Sequence, residues 1–164
     1  MKSTYAILLI VLFGSTCVSQ VTLPAPNQKK KFDHSIFGLG VSAGFASGFG
    51  ISFRQHLPSE ISYQVVAGII KTGNDVHYDL GGEIQYDIIR AGETRFYICG
   101  GTGYFYSGSS GTNDLSGPYR IGGGIGGEWR NTESFHLGGG LVFTYFSDGT
   151  VLPLPELGAH YYFY

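Results

Sequence analysis

Charge is scarce in this chain. Asp, Glu, Lys and Arg make up 13% of it, and 10 basic against 12 acidic side chains leave a net charge of −2. No basic field is available to neutralise a phosphate backbone, which excludes nucleic acid as a partner. Cysteine is nearly absent, with 2 residues in all, so a disulfide scaffold is excluded too. Beyond the N-terminus no apolar run is long enough for a spanning helix, and any membrane role falls to strands. Glycine and aromatics are what the chain holds in quantity, 27 residues and 15% respectively. That much glycine argues against helix. That much aromatic surface argues against disorder. The length suits one domain.

Residues 1–19 stand apart. Lys2 gives a positive start, Ala6 to Phe13 an apolar core, and Cys17-Val18-Ser19 small residues for cleavage before Gln20. This is the pattern of a secretory signal peptide, removed from the mature chain. The rival is a lipoprotein signal with Cys17 lipidated. Thr16 is bulky in front of that cysteine, and no Leu stands three residues before it. After cleavage Cys99 remains alone and reads as a small packed residue. Residues 20–34 (QVTLPAPNQKKKFDH) read as a flexible periplasmic leader with a solvated run at Lys29-Lys30-Lys31.

From residue 35 to 164 the dominant period is two, which is the period of a strand. Strands are predicted at 35–46, 48–57, 60–71, 75–89, 94–107, 118–130, 134–147 and 156–164, with turn residues between them. The fourth is the clearest. Val76, Tyr78, Leu80, Ile84, Tyr86 and Ile88 share one face, while His77, Asp79, Glu83, Gln85 and Asp87 share the other. Phe37, Leu39, Val41 and Phe45 likewise line one face of the first strand, and Phe49, Ile51 and Phe53 one face of the second.

Alternation alone does not say which face is outside. A soluble barrel would carry Lys, Glu and Thr on its wet face. Here that face is largely Gly, Ser and Ala, which fits the confined lumen of an eight-stranded barrel. The greasy face is large, aromatic and almost free of charge. A Lys or Arg facing lipid at mid-depth costs ~2–4 kcal/mol, so this exclusion is what a lipid-facing surface requires. Tyr104, Tyr106, Tyr119, Phe143 and Tyr145 fall near one rim, and Phe53, Tyr86, Phe96, Trp129, Phe135, Tyr161 and Phe163 near the other. Aromatic girdles are expected at those two levels. With both ends periplasmic, the longest connection, 108–117, lies outside. The predicted fold is therefore all-β: an eight-stranded antiparallel up-and-down transmembrane β-barrel over residues 35–164, behind a cleaved signal peptide.

At the last strand Gly158, Tyr161 and Phe163, followed by Tyr164, resemble the C-terminal signature of outer-membrane barrels. The strict form ends at the position of Phe163, and Tyr164 extends it by one residue. With the signal peptide and the eight strands, the chain resembles the outer-membrane protein β-barrel domain family and is close in plan to the transmembrane part of outer-membrane protein A. The resemblance covers residues 36–164. It implies location in the outer membrane of a Gram-negative bacterium, contact with outer-membrane lipid, and recognition by the barrel assembly machinery through the C-terminal strand.

The candidate site is the lumen. Arg54, Glu60, Glu83, Asp87, Arg95, Arg120, Glu128, Arg130 and His136 all fall on inward faces. Buried charges must be paired, so these residues are expected to form an ion network, either a structural plug or a gate. His34 and His56 read as isolated. Gly122 to Gly127 matches G-x-G-x-x-G formally, but it lies inside a predicted strand with no helix after it, so no dinucleotide site is expected. No spacing suggests a metal or another cofactor. The expected function is a non-enzymatic barrel with a structural, surface-contact or minor porin-like role. One alternative is a lipid A-modifying enzyme using His77, Asp79 and Ser107 or Ser109 at the outer rim. A weaker one is a soluble lipocalin-like carrier, which requires an apolar lumen.

Overall fold

The period-two pattern becomes strands because each greasy face finds the same surface on its neighbours. The computed structural model describes residues 35–109 and 111–164. The expected signal peptide and leader lie outside the described residues. The strands are β1 (Ile36–Gly44), β2 (Gly48–His56), β3 (Ile61–Thr72), β4 (Asp75–Ala91), β5 (Thr94–Gly108), β6 (Tyr119–Arg130), β7 (Phe135–Phe146) and β8 (Val151–Phe163). Each pairs antiparallel with the next, and β8 pairs with β1 from Phe37↔Phe163 to Gly44↔Glu156, closing the barrel.

The burial is inverted relative to a water-soluble domain. Ile51, Ile69, Ile125 and Leu157 are 63–75% exposed, while Ser52, Ser62, Gln64, Gln85 and Thr144 are at 0–1%. Apolar side chains point out and polar ones fill the inside, which rules out the apolar lumen of a lipocalin-like carrier. The aromatics gather in two belts. Tyr78 stacks on Tyr106 at 4.7 Å and Tyr104 lies against Tyr119 at 4.9 Å at one end, while Phe37 stacks on Phe163 at 5.2 Å at the other.

Three local departures from simple alternation matter for the site. In β4 a bulge between Asp87 and Ile89 shifts the register. One extra residue flips the parity, so Ile88 and Ile89 are both exposed and Arg90 donates through Nε to Asp87. In β1 the predicted strand ran to residue 46, with Phe45 on the greasy face. Instead β1 stops at Gly44, and Phe45, Ala46 and Ser47 turn into the barrel, where Ala46 and Ser47 are 1% and 0% exposed. Gly48, at φ 114°, supplies the left-handed conformation that brings the chain back out.

The third departure is β8, predicted to begin at 156 and found to begin at Val151. Pro153 and Pro155 read as loop residues because proline cannot donate to a ladder. Their positions remove the objection. Tyr162 N–H donates to Ser134 O on the β7 side, so even-numbered residues of β8 address β7 and odd-numbered ones address β1. The last β1 partner is Gly44, opposite Glu156. Pro153 and Pro155 therefore sit where an N–H would face an edge with no strand on it.

Candidate functional site: the lumen and the outer mouth

Glu128, from β6, is the centre of the half of the lumen nearer the start of β1 and the end of β8. Its Oε2 accepts from Arg54 Nη1 of β2, from Arg95 Nη2 of β5 at 3.1 Å and from the Tyr162 hydroxyl of β8 at 3.3 Å. Its Oε1 lies 2.8 Å from His136 Nδ1 and 3.8 Å from His56 Nε2. A carboxylate taken out of water is tolerable only with such a set of donors. The two arginines are satisfied further. Arg95 donates to Asp87 at 2.7 Å and to Gln85 at 2.5 Å, and stacks over Tyr97 at 4.6 Å. Arg54 donates through Nε to Gln64 at 2.7 Å, and Gln64 Nε2 in turn donates to Ser42 at 3.0 Å. His56 links Ser62 at 2.6 Å to the Tyr162 hydroxyl at 2.8 Å.

Of the residues singled out from sequence, Arg54, Asp87, Arg95, Glu128 and His136 meet in this cluster. Glu83 lies in a second layer, where it accepts from Gln85 Nε2 at 2.7 Å and is a buried neighbour of Glu156. Glu60 is half-buried at the rim on this side of the barrel, and its backbone carbonyl accepts from Asp87 N–H at 2.8 Å. Arg130 is exposed at that rim. Arg120 stands at the opposite end, stacked over Phe105 at 3.8 Å and Phe146 at 4.8 Å. His56, read as isolated, is part of the cluster, as are Gln64, Gln85 and Tyr162. Their inward parity is visible in the sequence; their convergence on one carboxylate depends on barrel closure.

At the C-terminus, Tyr161 and Phe163 face outward in edge contact at 5.2 Å, and Gly158 faces the lumen beside His160. Tyr164 follows the last strand residue and brings its hydroxyl to 3.4 Å from His136 Nε2.

The opposite half is closed by backbone. The inward turn after β1 is held from three walls. Ser47 Oγ donates to Glu156 Oε1 at 2.5 Å, Phe49 N–H donates to Asp79 Oδ1 at 2.7 Å, and Arg120 Nη1 donates to Phe45 O at 3.4 Å. Phe45, Phe49 and Phe105 form an edge-to-face series above it, at 5.0 and 6.0 Å. The wall makes room with glycine: a Cβ on Gly81 would collide with Ser47 O, and one on Gly103 with Ala46 O.

Above the turn lie two hollows. One of about 300 Å³ is bordered by Phe49, Ile70, His77, Asp79, Phe105 and Ser107, and one of about 220 Å³ by Arg120, Phe146, Asp148 and Leu152. Leu115, from the β5–β6 connection, borders both. Ser116 Oγ donates to Asp148 at 3.0 Å, and the hydrogen bonds from Thr150, backed by this one, hold the loop carboxyl below the usual aspartate range. His77 and Ser107 are direct cross-strand partners on the larger hollow. Among the described residues neither is hydrogen-bonded to Asp79, whose carboxylate is occupied by Phe49 N–H.

A closed antiparallel barrel that is apolar outside, girdled by aromatics and polar inside has the architecture of the small outer-membrane barrels. Solved structures agree on the fold. The chain is similar to the N-terminal β-barrel domain of Pseudomonas aeruginosa OprF, with a TM-score of 0.55 at 18% identity over 79% of this chain and 96% of that one. Weaker likenesses are the Yersinia pestis outer membrane protein Ail (TM-score 0.44, 13% identity, 79% of this chain and 98% of that one) and Neisserial surface protein A (0.41, 15%, 78% and 91%). No protein-family model and no curated protein matches the chain.

Proposed function

We propose that the chain is a non-enzymatic barrel of a Gram-negative outer membrane, exported through its N-terminal signal, and that it serves envelope structure and surface contact without conducting. The observation that carries this reading is the filled interior. Two barriers stand in series along the axis: the ion cluster around Glu128 and the inward turn at Phe45–Ser47. Side chains between and around them, such as Ser52, Gln64 and Thr144, are at most 1% exposed. The role of the charged cluster is then structural, a plug that ties opposite walls together. Tyr161 and Phe163 on the outward face of β8 supply the C-terminal pattern for the assembly machinery.

The test is fractionation of cells expressing the full chain. Recovery in the outer-membrane fraction, with a folded band whose gel mobility changes on heating, is the expected result. A soluble periplasmic monomer would end the proposal. The second reading, a lipid-modifying enzyme, is favoured by one observation, the placement of His77, Asp79 and Ser107 around one hollow. Its check is the mass spectrum of lipid A with and without expression; an unchanged spectrum removes it.

A further inference from the structure

We propose that an acyl chain of an outer-leaflet lipid enters the barrel mouth sideways, through a notch in the wall between β8 and β3. This rests on the membrane reading given above. The notch arises from strand lengths. β1 and β2 have 9 residues each, whereas β3 continues to Thr72 and β8 starts at Val151. Beyond Gly44 and Gly48 the residues Val151–Pro155 on one side and the end of β3 on the other have no strand between them.

The depth of this gap identifies its occupant. From Phe37, in the inner girdle, to Gly44 is a rise of about 18 Å at ~3.3 Å per residue and ~40° tilt, against an apolar band ~25 Å tall. The β1–β2 hairpin therefore ends inside the hydrocarbon layer. Tyr145, in the outer girdle, pairs with Val151, so Pro153 and Pro155 lie deeper than the girdle. A gap at that level opens on lipid tails.

Its chemistry agrees. Leu152 pairs with the lumen-facing Thr144 and so points inward, yet it is 44% exposed; Ile70, across the notch, is 67% exposed. Phe49, Phe105 and Leu115 line the hollow behind Ile70, and Leu152 borders the smaller hollow with Leu115, Phe146 and Arg120. Lys71, exposed beside the β3 edge, places a cation where an anionic headgroup would sit. A strand from a second copy is a poor alternative, because Pro153 and Pro155 leave the β8 edge without the N–H donors that strand addition needs.

The test uses the full chain refolded into phosphatidylcholine vesicles whose acyl chains carry bromine at mid-chain. Trp129, the only tryptophan, is replaced by Phe, and a reporter is placed inward with L152W or outward with L157W. The inference predicts that L152W loses most of its emission in brominated lipid, as L157W does, and that aqueous iodide has little effect on it. L152W quenched by iodide and not by bromine would mean a water-filled hollow. L152W protected from both would mean that protein covers it. Either result overturns the inference, while quenched L157W leaves the membrane reading intact. L157W unquenched by brominated lipid would contradict the membrane reading itself. Should L152W not give the heat-sensitive folded band, I70W reports from the opposite edge by the same criteria.

Discussion

Arg54 and Glu128 meet across the lumen from β2 and β6, strands that stand diametrically opposite in the closed order. Each side chain is 3% exposed. The pair is thus a tie between walls that share no hydrogen-bonded ladder. Arg95 of β5, His136 of β7 and Tyr162 of β8 join the same carboxylate, so one side chain connects five strands.

Removing that carboxylate should be costly. Glu128→Ala leaves two buried guanidinium groups facing each other without their shared counter-charge, and a broken buried pair of this kind costs ~3–5 kcal/mol. Glu128→Gln keeps an acceptor in place and should cost less. Urea titration of the folded, heat-sensitive band in vesicles measures both. An alanine variant as stable as the wild type would mean that the cluster holds nothing together.

The inward turn makes a different prediction. Gly81→Val places side-chain atoms against Ser47 O and should push the turn out of the lumen while the ladders remain paired. In a Cys99→Ser background, Ser47→Cys is shielded from a water-soluble maleimide. The added Gly81→Val should raise its labelling rate at least about tenfold, equivalent to ~1.4 kcal/mol in the population of the open turn. Fast labelling in both would place the turn outside the lumen from the start, and slow labelling in both would mean that Gly81 does not hold space for it.

Pro155 tests the open edge. In an ordinary ladder position, replacing proline restores a hydrogen bond and stabilises the strand. Here Pro155→Thr creates an N–H at hydrocarbon depth with no acceptor beside it, which should lower stability by ~1–3 kcal/mol in the same urea titration. An increase in stability would show that a partner strand faces the position.

The sequence and the structure part company at these same places. Alternation from Ile36 onward is enough to number the strands and to separate outward from inward faces, because parity is a local property of the chain. Phe45 breaks the pattern for a non-local reason: its turn is drawn inward by Glu156, Asp79 and Arg120, which belong to three other strands. Pro153 and Pro155 hide the start of β8 because whether a missing N–H matters depends on how far β1 extends. Arg54, Arg95 and Glu128 are legible as inward charges. That they share one site, with His56 added and Arg120 at the far end, depends on which strands closure places face to face.

The most direct test of a sealed barrel is the conductance of the refolded wild-type chain in a planar bilayer at constant voltage. With the Glu128 cluster and the Phe45–Ser47 turn closing the lumen in series, no regular current steps should occur above the bare-membrane baseline. Reproducible steps of uniform size from the wild-type protein would mean a continuous water path along the axis and would contradict the account.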